Sequence, residues 1–464
     1  MKNFLGFLKE ENMSLFTDFY ELTMCASYFD NEDFEPATFD LFIRRLPENR
    51  SYILFAGLEQ CLQYLQNIKF TDEHLAYLET QGFNRDFLDY LHGFKFTGEV
   101  WAVPEGSVAF PNEPLIRVTA PIIEAQLVET FLLNTVNLQT AIATKASRVV
   151  HAAKGKPVIE FGLRREQGID AGMKVARSSY IAGCQGTSNV LAGLAYGIPV
   201  FGTMAHSFVM SYPKEIDAFR AFTKTFPNKS TLLIDTYNDI SGAEKAAVIA
   251  KELEQRGCRL GGVRLDSGDL VKASKKIREF LDEQGLGYVK IFASGDLDEF
   301  KVKELLAEGA RIDSFGVGTK MGTSADRPYL DVIYKLCETG TPAGSFSPIM
   351  KLSKDKITLP GRKQVYRCMD AMGVLERDTI ALTDEKAEGE PLLVKVMERG
   401  RLTRELPSLE KIKADAAANL SKLPDQYKAL TNAQVYPVEL SRNLLNLVKT
   451  LKRQITIKEI NSAT

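Results

Sequence analysis

Two consecutive glycine-bearing loops carry residue types that suit phosphate binding. The first loop is ASGDLDE (293–299) and the second is FGVGTKMGT (315–323), and each lies between a strand-like run and a helix-like segment. Free backbone N–H groups and the helix dipole favour an anion at the start of a helix. A tight turn with an aspartate cap would explain either loop alone, but the tandem pair favours a phosphate site. The residues that we expect to contact phosphate are Ser294, Gly295, Asp296, Gly316, Gly318 and Thr319.

An arginine and two aspartates occupy the ends of two predicted strands. GGVRLDSGDL (261–270) places Arg264 and Asp266 two residues apart, so both side chains project to the same face of a strand. An ion pair between them is the simplest explanation, because an unpaired buried charge is costly. The alternative is a ligand contact, since a guanidinium fits carboxylate or phosphate and a carboxylate suits sugar hydroxyls or Mg²⁺ through water. Asp235 in LLIDTYND (232–239) has a similar position, so Asp235 and Asp266 are the candidate Mg²⁺ residues.

His206 ends the run PVFGTMAH (199–206) on the same predicted rim. A lone histidine in an apolar setting more often has a structural role. Beside phosphate loops, however, a neutral imidazole can attack a phosphoryl group and form a covalent intermediate, or it can act as a base or a donor. We therefore predict a catalytic role for His206, which is the only one of the four histidines with such surroundings in the sequence.

A repeated pattern in the middle of the chain must position these residues. Each repeat has a short β-branched run, a small or polar cluster and an amphipathic segment, which is typical of parallel strands joined by crossover helices. Gly257, Gly285 and Gly309 occur where helix ends are expected, and Ser241 with Glu244 forms the pattern of a capping box. The predicted strands are 157–161, 199–204, 231–236, 261–266, 288–294, 311–318 and 331–336.

Seven such strands predict an α/β fold whose centre is an irregular TIM-like α/β barrel. An open doubly wound sheet is the alternative. In a barrel, reacting groups lie on the loops that follow the C-terminal ends of the strands. Polar residues at or just after the predicted strand ends fit this placement: Arg164, His206, Asp235, Arg264, Asp266, Ser294, Asp296 and Thr319.

The segments on either side of the barrel predict a discontinuous α+β domain. Residues 14–92 read as helices, 94–119 alternates like an antiparallel β layer, and 405–455 ends in helices. Residues 345–400 are β-rich, with 358–367 as the clearest hairpin candidate. We expect an N-terminal α+β domain at 1–140, the barrel at 141–340, and a C-terminal β/α segment at 341–464 that packs on the N-terminal domain.

The composition excludes several classes of protein. The 464 residues include 58 Lys or Arg and 60 Asp or Glu, so the net charge of −2 offers no basic excess for a nucleic-acid backbone. A content of 45% apolar and 25% charged residues excludes global disorder and fibrous proteins. Scattered cysteines without a CxxC pair indicate reduced thiols, and residues 1–16 show no secretion signal, so we expect a cytoplasmic protein.

The interval between Ser178 and Pro213 contains no charged residue and needs consideration as a membrane span. Several glycines and Pro199 divide it into pieces shorter than the roughly 20 apolar residues that a span requires. We therefore expect no membrane segment, and we predict a buried core that opens into a site.

Nine segments in order along the chain form a common pattern that extends from about residue 14 to residue 367. They are TDFYELTM (17–24), EFGLRREQGIDAG (160–172), GTSNVLAG (186–193), GTMAHSF (202–208), LLIDTYND (232–239), GVRLDSGDL (262–270), ASGD (293–296), FGVGT (315–319) and KLSKDKITLPGRKQVYR (351–367). Together these segments closely resemble the nicotinate phosphoribosyltransferase family. No single segment is decisive, but nine in register make chance an inadequate explanation. The resemblance implies a type II phosphoribosyltransferase fold, with an irregular barrel beside a domain built from both ends of the chain.

The resemblance also implies a reaction. Phosphoribosyl would pass from 5-phosphoribosyl 1-pyrophosphate to nicotinate, giving nicotinate mononucleotide and pyrophosphate in NAD biosynthesis, with Mg²⁺ as cofactor and ATP as a co-substrate. ATP hydrolysis would drive the reaction by phosphorylating His206. Such enzymes are usually homodimers in which the segment that bears Tyr20 reaches the neighbour's site.

By the same resemblance, several residues acquire roles in substrate binding. Tyr20 and Phe161 would sandwich the pyridine ring, and Thr203 and Arg264 would lie near nicotinate. The two glycine-bearing loops would hold phosphate. Two further arginines are implied as contacts to pyrophosphate or to the ribose phosphate: Arg44 and Arg164.

Other activities stay open at this point. The nearest are nicotinamide and quinolinate phosphoribosyltransferases. The position of Ser188 resembles one where the nicotinamide enzymes have an aspartate, which would repel nicotinate's carboxylate, and quinolinate enzymes are much shorter and leave residues 340–464 unexplained. An aldolase or sugar-phosphate isomerase needs a Schiff-base lysine or a carboxylate base at a strand end, where neither Lys290 nor Lys320 is well placed. A non-catalytic nucleotide-binding regulator would be expected to have lost the histidine and aspartate motifs.

Overall fold

The computed structural model of the chain describes residues 8–228, 230–341, 344–353 and 358–460. It divides into two compact units, the first formed by Met1–Ala141 with Tyr329–Thr464 and the second by Ile142–Pro328. Within the described ranges, no helix is long and apolar enough to cross a membrane. Residues 1–7, considered above as a signal, and 354–357 of the last motif lie outside the described residues.

The N-terminal part of the first unit alternates helices and strands. Side chains begin two of its helices: the Thr71 hydroxyl accepts a hydrogen bond from the His74 N–H, and the Asn84 amide oxygen accepts one from the Phe87 N–H. In chain order the elements are a 3-10 turn (Glu10–Leu15), α1 (Phe19–Asp30), β1 (Pro36–Ile43), β2 (Ile53–Leu54), α2 (Leu58–Asn67), α3 (Asp72–Thr80), α4 (Arg85–His92), β3 (Glu99–Ala102), β4 (Val108–Ala109), β5 (Pro114–Pro121), α5 (Ile122–Leu127) and α6 (Glu129–Ala152), whose C-terminal part belongs to the second unit.

The second unit follows the predicted alternation of strands and helices. Its strands form one parallel sheet in the order β7-β6-β11-β10-β9-β8. The elements are β6 (Val158–Glu160), a 3-10 turn (Leu163–Arg165), α7 (Ile169–Ile181), β7 (Gly186–Thr187), α8 (Val190–Tyr196), α9 (His206–Met210), α10 (Glu215–Thr225), β8 (Thr231–Leu233), α11 (Asp239–Glu254), β9 (Gly262–Leu265), α12 (Leu270–Glu283), β10 (Lys290–Ala293), α13 (Glu299–Ala307), β11 (Ser314–Val317) and α14 (Thr319–Gly322).

Local signals fix most of the helix ends in this unit. Gly257, Gly285 and Gly309 follow α11, α12 and α13 with φ of 72°, 73° and 76°, so the prediction that they end helices is confirmed. The predicted capping box at Ser241 is wrong. The Asn238 side chain accepts a hydrogen bond from the Ser241 N–H, so α11 begins one turn earlier and Ser241 lies inside it.

The C-terminal part returns to the first unit. β12 pairs with β1 and extends an antiparallel sheet of order β13-β12-β1-β5-β3-β17-β18, and a second sheet has the order β16-β14-β15-β19. The elements are β12 (Val332–Gly340), β13 (Phe346–Pro348), β14 (Lys363–Met369), β15 (Leu375–Leu382), β16 (Glu390–Pro391), β17 (Val394–Glu398), β18 (Arg401–Leu402), α15 (Leu409–Lys422), α16 (Asp425–Lys428), β19 (Val438–Leu440), α17 (Arg442–Ile455) and a π-helical turn (Thr456–Ile460).

Three predicted strands or hairpins are corrected by the structure. The run 331–336 does not join the parallel sheet, because β12 finds an antiparallel partner in β1. The run 199–204 forms only an isolated bridge between Val200 and Thr187. The hairpin near 358–367 instead joins β14 to β15, because the Asp370 carboxylate accepts the N–H groups of two residues in the turn between them.

The parallel sheet is curved. β9 is next to one edge of it, whereas Val200 bridges to Thr187 at the other edge. Strands lie about 4.8 Å apart, so a flat sheet would separate β9 from Val200 by roughly 24 Å. Arg264 in β9 nevertheless donates hydrogen bonds to Thr203 Oγ1 at 3.0 Å and to the Met204 carbonyl at 3.4 Å. The segment after Val200 therefore lies close to β9.

Candidate active site

A cavity of about 610 Å³ opens at the carboxyl ends of the parallel strands. Its lining comes from residues that follow β6, β7, β9, β10 and β11 and from the segment before α9. The structure therefore brings together most of the residues that the sequence predicted for the site. Those that line the cavity are Phe161, Arg164, Ser188, Thr203, His206, Arg264, Asp266, Ser294, Gly295, Asp296, Gly316, Gly318 and Thr319.

Arg264 is the most highly connected cation of the cavity. Its guanidinium donates to Asp266 Oδ1 at 2.6 Å, to Ser294 Oγ at 2.8 Å and to Thr203 Oγ1 at 3.0 Å. The guanidinium carbon also lies 5.9 Å from the centroid of the Phe161 ring. The ion pair with Asp266 is therefore present, yet it lies in the cavity, and the other partners of Arg264 are two hydroxyl groups and the Met204 carbonyl at 3.4 Å. Those hydroxyls hold the fork of Arg264 beside an aromatic face.

Asp266 is held as a carboxylate. Burial alone would raise its pKa, but the hydrogen bond from Ser294 at 2.5 Å and the charge of Arg264 outweigh burial and hold the pKa below its usual value. Asp235 does not line the cavity. Its Oδ2 accepts from the Asp266 N–H at 2.7 Å and from Ser267 Oγ at 2.8 Å, so it orients the turn that carries Asp266.

His206 is the first residue of α9 and is 41% exposed. Its Nδ1 lies 3.2 Å from Thr236 Oγ1, and its Nε2 lies 3.8 Å from Asp266 Oδ2. With Nδ1 engaged by the threonine, Nε2 is the ring nitrogen left for chemistry in the cavity. Sequence reasoning missed Thr236, although its place directly after Asp235 at a strand end was a usable signal.

The two glycine-bearing loops need their glycines for close packing. A Cβ atom on Gly295, whose φ is +89°, would collide with the carbonyl oxygen of Asp266. A Cβ atom on Gly316 would lie 2.8 Å from the Phe161 ring, and one on Gly318 would lie 2.8 Å from the Phe161 carbonyl oxygen. The loops therefore lie directly against the ends of β6 and β9, where the other cavity residues begin.

A lysine joins the two loops. Lys320 Nζ lies 3.0 Å from Asp296 Oδ2 and 3.4 Å from Asp298 Oδ2, and the hydrogen bond to Asp296 raises the pKa of Lys320. The Asp296 carboxylate is thus paired with a cation. The backbone of Asp296, rather than its side chain, can therefore face a phosphate. Sequence reasoning missed Lys320 and Arg165 as lining cations, although both stand inside the quoted motifs.

Two predicted site residues belong to the first unit. Tyr20 lies on α1 and is 48% exposed, and Arg44 follows β1, where its N–H donates to the Asp331 carbonyl at 3.0 Å. Beside Tyr20, burial and the nearby Glu129 carboxylate raise the pKa of Glu21 to about 7, against a hydrogen bond from the Gln126 amide. The roles of Tyr20 and Arg44 stay predictions.

The carboxylates of the second unit could hold Mg²⁺ only with help from a substrate. Among the described residues, no group of three or more His, Cys, Asp or Glu side chains could form a metal cage. Mg²⁺ commonly uses one or two carboxylates together with waters and substrate phosphates. Asp235 Oδ1 is buried without a hydrogen-bond partner, and Asp266 Oδ2 accepts no hydrogen bond in the part of the chain that is described. The free oxygen of Asp266 therefore fits a Mg²⁺ ion held largely by a diphosphate, whereas Asp235 does not line the cavity.

Comparison with family models assigns most of the chain. The model described as "Nicotinate phosphoribosyltransferase (NAPRTase) family" matches residues 157–366. The models for the nicotinate phosphoribosyltransferase N-terminal and C-terminal domains match residues 15–137 and 385–448. The three matches together cover both units.

Individual relatives extend over almost the whole chain. A Mycobacterium tuberculosis nicotinate phosphoribosyltransferase is 46% identical over 446 residues, covering 96% of this chain and 95% of the relative. The Bacillus subtilis nicotinate phosphoribosyltransferase is 41% identical over 464 aligned positions, covering 94% of each chain. The crystal structure of human nicotinic acid phosphoribosyltransferase superposes with a TM-score of 0.84 at 30% identity, covering 94% of this chain and 99% of the human one.

Proposed function

The chain belongs to the nicotinate phosphoribosyltransferase family, and on that premise we propose that the cavity of the second unit is its active site. The chain transfers phosphoribosyl from 5-phosphoribosyl 1-pyrophosphate to nicotinate, giving nicotinate mononucleotide and pyrophosphate in NAD biosynthesis. The observation that carries the assignment to this cavity is the Arg264 fork, fixed by four hydrogen-bond acceptors beside the Phe161 ring.

Nicotinate is a flat ring with one carboxylate, and the cavity has a matching pair of groups. Phe161 offers an aromatic face for the ring, and Arg264 offers a charge-assisted donor for the carboxylate. Ser188 lines the same cavity and carries no charge that would repel the carboxylate. We assign the acid rather than the amide as substrate on these grounds.

Displacement of pyrophosphate develops positive charge on the ribose and negative charge on the leaving group, so catalysis rests on positioning and electrostatics. The backbone of the two glycine-bearing loops would hold phosphate, with Arg164 and Lys320 as nearby cations. Mg²⁺ bound to the diphosphate would neutralise charge on the leaving group. Asp266, oriented by Asp235, would hold that ion through water.

We further propose that ATP is a co-substrate at His206. Nε2 would attack the γ-phosphorus, a bond from nitrogen to phosphorus would form, and the bond to ADP would break. The Thr236 hydroxyl on Nδ1 supports this assignment because it leaves Nε2 for the attack. Later hydrolysis of the phosphohistidine would return the free imidazole and release phosphate.

The proposal also includes the closure of the barrel, the residues supplied by the first unit, and the cellular location. The curvature of the parallel sheet supports an irregular barrel, although the described residues form no pairing between the edge strands β7 and β8. Tyr20 would supply the second face of the ring sandwich from the neighbouring subunit of a homodimer, and Arg44 would contact the sugar diphosphate. The enzyme would act in the cytoplasm.

A product assay tests the function directly. The purified chain receives 5-phosphoribosyl 1-pyrophosphate, Mg²⁺ and either nicotinate, nicotinamide or quinolinate, with and without ATP, and the mononucleotide is quantified. We expect nicotinate to exceed nicotinamide by about a hundredfold in kcat/KM, which corresponds to about 2.7 kcal/mol. Comparable turnover of the two bases would overturn the assignment, and Arg264→Met serves as the control that places the activity in this cavity.

A further inference from the structure

A buried carboxyl group lies directly behind the cavity in a space that three glycines leave open. The group is Glu166, which follows the 3-10 turn Leu163–Arg165, and both of its carboxyl oxygens are buried without a hydrogen-bond donor. A Cβ atom would lie 2.5 Å from a Glu166 oxygen if placed on Gly162, 2.6 Å if on Gly322 and 3.2 Å if on Gly172. The end of β6, α14 and α7 therefore all close around this one carboxyl group.

The neighbour of this group is a second buried carboxyl group. Glu160, at the end of β6, is 1% exposed and accepts hydrogen bonds from Thr187 Oγ1 at 2.6 Å and from the Gly162 N–H. Oε1 of Glu160 lies 3.0 Å from the same Cβ position on Gly162 that is 2.5 Å from Glu166. The two buried carboxyl groups are hydrogen-bonded to each other, so ionisation of both is strongly disfavoured and they share one proton. Because Glu160 already accepts two hydrogen bonds, the proton belongs to Glu166, which donates to Glu160.

The pair joins the two walls of the cavity. The segment between Glu160 and Glu166 carries Phe161 and Arg164 to the cavity, and α14, which Glu166 contacts at Gly322, forms the C-terminal part of the second glycine-bearing loop. Ionisation of both carboxyl groups would therefore push the aromatic and cationic wall away from the phosphate loop.

Few other charges face the pair. The elements packed against Glu166 carry charged groups whose partners lie elsewhere: Arg165 contacts Thr319, Lys320 pairs with Asp296, and Lys174 pairs with Asp170. Arg177 on α7 is buried, and Arg164 is exposed. Burial and the charge of Glu160 together raise the pKa of Glu166 to about 9. Glu166 is therefore protonated and neutral at pH 7.

We propose that Glu166 is a positioning residue that, through its proton shared with Glu160, clamps the Phe161–Arg165 wall against the second phosphate loop. The inference rests on the proposed function of the cavity. The inference goes beyond that function, because neither carboxyl group touches the substrate and neither is needed for the chemical step itself.

The test compares pH profiles of nicotinate mononucleotide formation between pH 6 and pH 10 for the full chain and four variants. We expect kcat/KM for the sugar diphosphate to fall in the wild type as pH rises through about 9. Glu166→Gln keeps a neutral donor, so it should retain activity within about threefold at pH 7.5 and lack this alkaline fall. Glu166→Ala should raise KM for the sugar diphosphate about tenfold at every pH. Thr187→Val removes a donor to Glu160 and should move the fall to higher pH.

The matched control is Glu113→Gln, which alters a buried carboxyl group in the first unit whose pKa is also raised by burial. Its pH profile of activity should coincide with that of the wild type. If Glu166→Gln shows the wild-type alkaline fall, or if Glu113→Gln removes that fall, the clamp is refuted.

A stability measurement separates the clamp from the proposed function. Between pH 5 and 8 the folded chain keeps a proton on Glu166 that the unfolded chain releases. This group therefore lowers the folding equilibrium constant about tenfold for each unit by which the pH rises. Urea unfolding measures the folding constants, and the constant of Glu166→Gln divided by that of the wild type should rise about tenfold for each such unit. If the wild type shows no transfer activity at any pH, the proposed function is refuted. The ratio of folding constants then still tests whether Glu166 is protonated in the folded chain. A ratio independent of pH refutes the clamp.

Discussion

Two arginine–aspartate pairs, one in each unit, use the same groups for different purposes. In the first unit, Arg367 donates to both oxygens of Asp378, whose side chain is 0% exposed, and its remaining NH1 donates to the Val108 carbonyl. In the second unit, Arg264 donates to one oxygen of Asp266, whose side chain is 29% exposed, and its other donors go to two hydroxyl groups and, at 3.4 Å, to the Met204 carbonyl. The first pair is saturated by protein, whereas the second leaves a carboxylate oxygen and replaceable hydroxyl partners for a ligand.

The difference teaches how to separate a structural charge pair from a functional one. A saturated and completely buried pair is costly to break, because removal of one partner leaves the other charge buried away from water. Partial exposure with hydroxyl partners allows a substrate oxygen to replace a protein oxygen at little cost. The following substitutions test that distinction.

The largest expected effect is on stability. Arg367→Met leaves Asp378 buried and without its cation, so we expect a loss of about 3–5 kcal/mol in the free energy of unfolding. Urea unfolding followed by circular dichroism measures it. The double variant Arg367→Met/Asp378→Leu should recover part of the loss. An unchanged midpoint for Arg367→Met would remove the distinction between the two pairs.

Arg264→Met should have the opposite profile. We expect kcat/KM for nicotinate to fall by about 10²–10³-fold, because the cation that faces the carboxylate is lost. The free energy of unfolding should change by no more than about 1 kcal/mol, since Asp266 can be hydrated. Arg264→Lys keeps the charge without the planar fork, so its kcat/KM for nicotinate should lie between those of the wild type and Arg264→Met. A large stability loss with normal activity of the folded enzyme would make Arg264 a structural residue.

Ser188→Asp places a second carboxylate in the same cavity as Arg264. We expect kcat/KM for nicotinate to fall about 30-fold and the preference for nicotinate over nicotinamide to shrink, because the new charge repels the acid and can pair with Arg264. Rates with both bases measure the change. Ser188→Ala is the matched control, and its preference should stay close to that of the wild type. An unaltered preference in Ser188→Asp would mean that position 188 does not face the base.

The smallest expected effect on transfer is that of His206→Asn. Incubation of the wild type with γ-labelled ATP should give an acid-labile, base-stable phosphoprotein, and the variant should give none. Transfer without ATP should persist within about tenfold, because Arg264 and the phosphate loops still position the substrates. Label that remains in the variant would place the phosphoryl group elsewhere. Complete loss of transfer in a folded variant would give His206 a role in the ribosyl step.

Local signals in the sequence predicted much of the second unit. The β-branched runs at 261–266 and 288–294 became β9 and β10, and glycines such as Gly257 end helices with positive φ, because these features depend on a few consecutive residues. The run 331–336 also became a strand, but in the other unit. Its partner β1 lies about 300 positions earlier in the chain, and such pairing has no local signature.

The sequence by itself determined which residue types stand at the strand ends and the family to which the chain belongs. Only the tertiary structure decided their partners. Arg264 contacts hydroxyls from two segments separated from it by 61 and 30 positions, and the proton shared by Glu160 and Glu166 depends on burial by three glycines of different elements. Hydrogen bonding across distant segments and desolvation of a carboxyl group are properties of packed atoms, and therefore no spacing of residues along the chain encodes them directly.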